Sequence, residues 1–374
     1  MNSIDMSVQA ESACRVVIMA GGTGGHVFPA LAVAESLREQ GINVQWLGTS
    51  RGIESRLVPA AKIQLHCIQV EGVRGKNKLS LLLAPFKLSQ ALWQAAGVLR
   101  LVKPHAVIGF GGFASGPGGI MAKALGIPLL IHEQNAIAGS TNRLLRPLAN
   151  KVMQAFAGAL SQAETVGNPV RRDIAALPEP RQRLAEKYSA KETRLNIFVL
   201  GGSLGAVAIN ELMPRALACI AVNECPNIWH QAGRNNTENT LKNYTACGVG
   251  NARVDDFIDD MAAAYSWADL IVCRAGALTV SEISAVGLAA LFIPYPWAID
   301  DHQAKNAEVL VSAKAAWVRR QEKISAESLA KDLIELMSNR LQLLQMAVNA
   351  RALAQPNSAE RVASACLELI NAES

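Results

Sequence analysis

The feature that most constrains the fold is one piece of local grammar, a strand running through a glycine-rich turn into a helix, written twice about half a chain apart. The first copy is Val17-Ile18-Met19-Ala20-Gly21-Gly22-Thr23-Gly24-Gly25; the second is Phe198-Val199-Leu200-Gly201-Gly202-Ser203-Leu204-Gly205-Ala206. Around them, short β-branched runs alternate with helical stretches. Val16–Ala20, Val44–Gly48, Ala106–Phe110, Pro128–His132 and Lys151–Gln154 read as buried strands in the first half; Leu195–Leu200, Ile228–Gln231, Leu270–Cys273 and Ala290–Ile293 do so in the second. Pro29–Gln40, Ala206–Val222 and Gln303–Lys314 carry helical periodicity. Such alternation predicts an α/β fold, with parallel sheets covered by helices. The repeat predicts two similar domains, which suits a chain of 374 residues.

Gly167-Asn168-Pro169-Val170 and Pro178-Glu179-Pro180 are breakers, placing a linker near 167–180. The expected division is a disordered extension over 1–14, a first Rossmann-like domain over 15–170, a second over 171–355, and a closing helix over 356–374. That helix carries Val362, Cys366, Leu369 and Ile370 on one face and is expected to pack back on the first domain.

Half of the residues are hydrophobic and 18% are charged, which excludes disorder and supplies a core. Residues 1–170 hold 15 basic and 8 acidic groups, net +7, whereas 171–374 hold 21 and 23, net −2. A basic first half points to an anionic partner, a phosphate compound or a membrane surface. The polar first fourteen residues do not read as a secretory signal. The longest hydrophobic stretch, Leu79 to Phe86, falls far short of the ~20 residues of a membrane span. Seven cysteines with no Cys-x-x-Cys pair argue against a disulfide framework or a zinc site and fit a reducing cytosol.

A glycine turn opening a helix presents unpaired N–H groups and the positive end of the helix dipole, a setting for phosphate. Neither Gly21–Gly25 nor Gly201–Gly205 fits G-x-G-x-x-G, and no Gly-Lys-Ser/Thr follows, so a nucleoside-triphosphate P-loop is excluded. Each loop alone also reads as a tight turn with no ligand. A third loop, Gly109–Gly119, contains G-x-G-x-x-A, and Glu133 ends the next strand where a dinucleotide site places its ribose acid. Against that reading, Gly116, Pro117, Gly118 and Gly119 are expected to spoil the helix that must follow; a mobile loop cradling a pyrophosphate suits them better. Farther on, Cys273–Glu282 turns from a strand into a helix. Thr279 and the N–H groups there can hold a diphosphate, and Glu282 can meet a ribose diol. Thr279 and Glu282 read equally as a capping box. The acidic cluster Asp255–Asp260 lacks Asp-x-Asp and reads as a solvated loop and helix cap.

Together these stretches resemble the MurG family of bacterial N-acetylglucosaminyltransferases. The matching segments are Gly21–Pro29, Gly111–Pro117, His132–Asn135, Gly167–Arg171, Gly201–Ser203, Ile228–Gly233, Phe257–Met261, Arg274–Glu282 and Asp300–Gln303, in the family's order and from Arg15 onward. The resemblance implies a glycosyltransferase B architecture, two Rossmann-like domains whose parallel sheets face a central cleft. It implies a metal-independent, inverting transfer of N-acetylglucosamine from UDP-N-acetylglucosamine to lipid I (undecaprenyl-pyrophosphoryl-muramoyl-pentapeptide), giving lipid II and UDP. The donor is expected on the second domain and the acceptor on the first, with no cofactor and no nucleic-acid partner. The implied place is an anionic membrane surface, peripherally at the cytoplasmic face of the inner membrane. By the same resemblance Ile258 reads the uracil through its backbone and Glu282 the ribose. Ser203, Thr279 and Arg171 serve the diphosphate, within the segment Ala277, Leu278, Thr279, Val280, Ser281, Glu282. Asn135 and Gln303 reach the sugar, and Thr23, Gly24 and Gly25 line the cleft from the first domain. His26 is the candidate general base, with capping or acceptor binding as its other reading and Glu133 as reserve base.

The chain departs from the family pattern at Leu204, where Gln is usual, and at Ala275, where Ser is usual. His66, His105, His230, Trp46, Trp229, Trp267 and Trp317 read as structural, and Asp301 and His302 as a turn flanking Gln303. A UDP-N-acetylglucosamine 2-epimerase, a nicotinamide-dependent oxidoreductase using Gly109–Ala114, and a non-catalytic lipid-carrier binder are the rival readings.

Overall fold

The computed structural model of the chain describes residues 14–70, 84–189, 194–202 and 205–372. It divides into two compact units, Met1–Pro169 with Asn357–Ser374, and Val170–Pro356.

The first unit is built on seven strands, β1 (Arg15–Met19), β2 (Asn43–Gly48), β3 (Gln64–Cys67), β4 (Ala106–Gly109), β5 (Leu129–Glu133), β6 (Lys151–Gln154) and β7 (Glu164–Thr165). They lie in the order β3-β2-β1-β4-β5-β6-β7, all parallel, with Val16 opposite both Val44 and Ala106. Val16 and Ile18 face the Gly24–Glu39 and Ser358–Ala372 helices, in a core with Val27, Leu37, Val362 and Cys366. Val17 and Met19 face the other way, onto Ala95, Leu99 and Ala122. A strand buried on both faces has no polar side to alternate with, which is why it reads as a continuous apolar run.

The second unit has β8 (Asn196–Leu200), β9 (Asn227–Gln231), β10 (Ala252–Asp255), β11 (Leu270–Cys273), β12 (Ala289–Phe292) and β13 (Ala316–Val318). The order is β10-β9-β8-β11-β12-β13, again all parallel. In both sheets the strand before the glycine turn, β1 or β8, is the point where strand order reverses direction. Open parallel sheets bind ligands beyond the carboxyl ends of the strands at such a point.

Every strand expected from the sequence is present within a residue or so. The four it did not indicate, β3, β7, β10 and β13, are the four edges of the two sheets. Edge strands are short and partly exposed, so residues such as Gln64, His66, Arg253 and Asp255 interrupt the apolar signal.

Two helix expectations need correction. The first helix starts at Gly24, five residues before Pro29, because the Thr23 carbonyl accepts the His26 and Val27 N–H groups. Gly116, Pro117, Gly118 and Gly119 do not break a helix: they sit inside Ser115–Ala124. Pro117 falls in the first turn, where no intrahelical N–H bond is lost. A Cβ on Gly118 would meet Met19 Sδ at 2.4 Å, and one on Gly119 would meet Leu145 Cδ2 at 2.7 Å. Those glycines bring the helix close to its neighbours, and the Gly109–Gly119 stretch is a short turn followed by a helix.

Candidate functional site

In the first unit the turns after β1 and β4 touch. A Cβ on Gly112, whose φ is +83°, would stand 2.4 Å from Gly21 O. The neighbouring Gly111 lies under the His26 ring: a Cβ there would be 3.3 Å from His26 Nε2 and 3.7 Å from Asn142 Nδ2. His26 is the third residue of its helix and half-buried, Gly24 and Gly25 precede it, and Thr23 is exposed.

Asn135 joins this group through Glu133. The Glu133 carboxylate is 1% exposed. One oxygen accepts Asn135 N and Nδ2 at 2.9 and 3.2 Å; the other accepts Gly139 N at 3.0 Å and Asn142 Nδ2 at 2.9 Å. Four N–H donors occupy both oxygens and aim the carboxylate at its own loop. Glu133 therefore orients Asn135, and its part as reserve base or as a dinucleotide's ribose acid fits poorly. His132, before it, is fully buried. Its Nε2 bonds Gly167 O at 2.9 Å and its Nδ1 receives Gln134 Nε2 at 3.1 Å, while burial pushes its pKa down to about 4, so the ring is neutral.

Sequence reasoning missed Glu54. Its carboxylate is wholly buried and accepts Gly22 N at 3.0 Å, Thr49 N at 3.1 Å and Thr49 Oγ1 at 2.7 Å. A Cβ on Gly21 or Gly52 would meet it at 2.6 or 1.9 Å. The first glycine turn is thus shaped around an internal carboxyl group that occupies one of its amides. An acidic residue between Gly52 and a helical run carries no local mark of this role, because the Gly22 amide it holds lies 32 residues away.

In the second unit, Ala277 to Glu282 are the first six residues of the Ala277–Val286 helix, with Gly276 as N-cap. The capping-box reading of Thr279 fails, because Thr279 lies within the first turn. Leu278 and Thr279 belong to the turn whose N–H groups have no acceptor within the helix; Val280 N bonds Gly276 O at 2.9 Å. Ser281 Oγ donates to Ala277 O at 3.0 Å, and the Ala277 and Val280 side chains are core.

Glu282 is 6% exposed. Tyr265 Oη donates to it at 2.9 Å and Arg171 Nη2 stands 3.9 Å away. Burial pushes its carboxyl up to about 7, against the lowering effects of Arg171 and the Tyr265 hydrogen bond. A raised carboxyl beside a cation at a helix N-terminus is the kind of perturbed group that marks functional sites. Ile258 follows β10 and its N–H donates to Gln231 Oε1 at 2.9 Å. Asp255 ends β10 and Asp260 caps the Met261–Trp267 helix through Ala263 N, so a helix intervenes between the acidic cluster and β11. Gln303, in the His302–Ser312 helix, accepts Tyr295 N at 2.8 Å. Arg171, Tyr265 and Glu282 thus form one group and Ile258 with Gln231 another, whereas no contact joins Gln303 to either among the described residues. Ser203 and Leu204 lie outside the described residues. Of the residues read as structural, Trp46 is fully buried and His230 is held between Tyr244 Oη at 2.9 Å and Asn210 Oδ1 at 3.0 Å.

Two family models cover this chain, the glycosyltransferase family 28 N-terminal domain over residues 16–154 and the C-terminal domain over 196–362. The chain belongs to glycosyltransferase family 28. A UDP-N-acetylglucosamine--N-acetylmuramyl-(pentapeptide) pyrophosphoryl-undecaprenol N-acetylglucosamine transferase of Cellvibrio japonicus is 52% identical over 360 residues, 95% of this chain and 98% of that protein. The protein of the same name from Pseudomonas fluorescens is 52% identical over 357 residues, 95% and 98% of the two chains. The crystal structure of Acinetobacter baumannii MurG superposes with a TM-score of 0.81 at 42% identity, covering 95% of this chain and 99% of that one. The resemblance to the MurG family is borne out, as is the glycosyltransferase B fold, and the chain is a hexosyltransferase of family 28.

Proposed function

We propose that this family 28 enzyme transfers N-acetylglucosamine from UDP-N-acetylglucosamine to lipid I, forming lipid II and UDP with inversion at the anomeric carbon. The observation that carries this reading is the match to the two transferases over 95% of the chain, both units included. The second unit takes the donor, with Ile258 and Glu282 toward the nucleoside, Arg171, Ser203 and the first turn at Ala277–Thr279 toward the diphosphate, and Gln303 toward the sugar. The first unit takes the acceptor, with Thr23, Gly24, Gly25 and His26, and Asn135 joins Gln303 in reaching the sugar.

In a direct displacement the acceptor hydroxyl oxygen forms the new bond to the anomeric carbon as the bond to the UDP oxygen breaks. Its proton passes to the His26 ring, and the electron pair leaves on the diphosphate. Arg171 and the helix N-terminus at Gly276 meet that developing charge. His26 accepts the proton without forming a covalent intermediate.

The same reading places the enzyme peripherally on the anionic cytoplasmic face of the inner membrane. No described helix is long and apolar enough to cross a membrane. On the Ala84–Val102 helix Phe86 and Trp93, seven residues apart, are 72% and 76% exposed, with Lys87 beside Phe86. Arg74, Lys76, Lys78 and Leu79 to Leu83, the basic and apolar residues that precede this helix in the sequence, lie outside the described residues. Exposed aromatics with basic neighbours suit an anionic interface.

Incubation with UDP-N-acetylglucosamine, with and without a lipid I analogue, tests the activity. UDP release that requires the acceptor is the expected result; release in its absence, or none with it, overturns the reading.

A further inference from the structure

We infer that Gln231 is a positioning residue for the donor nucleotide: its side-chain amide ties the turn after β8 to the segment after β10, so that both present their backbone to one UDP. This rests on the proposed donor site.

Gln231 is the last residue of β9, which lies between β8 and β10, and it is 3% exposed. Its Nε2 donates to Gly202 O at 3.1 Å and its Oε1 accepts the Ile258 N–H at 2.9 Å. One partner only accepts and the other only donates, so the amide has a single orientation. Glutamate would offer two acceptors, lysine only donors and leucine neither. The frame around it is rigid. Ala232 N bonds Asp255 O, and Asn210 Nδ2 bonds Ala232 O, both at 2.9 Å. Gly205, with φ +76°, presses its backbone on the same residue, where a Cβ would meet Ala232 O at 2.0 Å. Asn210 also holds His230, which burial keeps neutral with a pKa pushed down to about 3. The end of β9 is fixed to both neighbouring strand ends, and the Gln231 amide passes that fixed geometry on to the two turns.

The test uses the purified full chain and its Gln231→Leu and Gln231→Glu variants. UDP binding is measured by calorimetry well below each variant's melting temperature, and turnover is measured with a lipid I analogue. Leaving the Ile258 N–H and the Gly202 carbonyl without their partner is expected to weaken UDP binding and raise KM for UDP-N-acetylglucosamine about tenfold or more in Gln231→Leu. The kcat and the acceptor KM should stay within a few-fold. Gln231→Glu keeps an acceptor for Ile258 but opposes Gly202 O, so it should lose affinity as well. Unchanged UDP affinity in Gln231→Leu would overturn the inference. So would an equal loss on donor and acceptor sides, the mark of a general structural defect. If the wild-type chain binds no UDP, the donor-site reading falls and the inference with it; if it binds UDP and the variants bind equally well, only the inference falls.

Discussion

Tyr265 donates its hydroxyl to the Glu282 carboxylate at 2.9 Å, inside the unit whose Arg171 guanidinium stops 3.9 Å short of the same group. The arrangement holds an acid where burial opposes its charge, with a pKa of about 7 against an ordinary 4.5. The folded value lies above the unfolded one. The associated stability is therefore complete below pH ~4.5 and is lost as pH rises through ~7. At pH 8 the wild-type protein bears the cost of a buried carboxylate, at most about 3 kcal/mol. Glu282→Gln should melt at least as high as wild type at pH 8 and gain nothing at pH 4. It should nonetheless bind UDP more weakly at pH 8, since a carboxylate accepts from two ribose hydroxyls better than an amide does. Calorimetric Kd and melting curves at both pH values decide it. A variant that melts early yet binds UDP normally would assign Glu282 to the fold alone.

His26→Ala should lower kcat by ~10²–10⁴, the usual worth of general-base catalysis, while UDP binding stays near wild type. The acidic limb of the kcat–pH profile should disappear with the ring. Persistence of that limb would move the base elsewhere. Glu133, saturated by four donors, is a poor substitute.

Glycines around Glu54 separate two kinds of substitution. A Cβ on Gly52 would stand 1.9 Å from Glu54 Oε2, so Gly52→Ala must displace the carboxylate and unpair the Gly22 and Thr49 amides. An unsatisfied buried polar group costs about 1–3 kcal/mol, which denaturant titration should show. Gly97, mid-helix with nothing within 4 Å of where a Cβ would stand, makes the control. Gly97→Ala should be neutral or stabilise by roughly 0.5–1 kcal/mol.

Replacing Phe86 and Trp93 together by Ser should leave melting and UDP binding intact, since both side chains are mostly solvent-exposed. Flotation with anionic vesicles should fall sharply. Wild-type binding should weaken at high salt and on neutral lipid; equal, salt-insensitive binding to both lipids would remove the electrostatic part.

The interior strands were legible in the sequence because a strand covered on both faces must be apolar throughout, and Val16–Ala20 or Leu270–Cys273 can hardly be read otherwise. The two glycine turns were legible for a related reason: backbone at positive φ, as at Gly22 and Gly202, is a local demand that the sequence meets locally. Neither signal reaches across the chain. Edge strands such as Gln64–Cys67 take their partner from one side and solvent from the other, so their composition stays mixed. Gly116, Gly118 and Gly119 read as helix breakers because nothing local marks Met19, Leu47 and Leu145 as neighbours of the last two, and those neighbours are what leave no room for a side chain there.

The site divides the same way. The motif residues could be named from order along the chain, but not the groups that hold them. Glu54 and Gln231 act through backbone atoms 32 and 27 residues away, at Gly22 and Ile258, and a main-chain N–H or carbonyl leaves no mark on residue identity. Burial is likewise a property of the assembled sheet and its helices: it turns Glu282 from an apparent cap into an acid poised near neutral pH, and Glu133 from an apparent base into a saturated anchor. Sequence alone determined the strand–turn–helix grammar, since that depends on contacts within a few residues. Tertiary structure decided which polar groups are desolvated and by whom they are satisfied, because dielectric and hydrogen-bond partners are set by segments that meet only once the chain has folded.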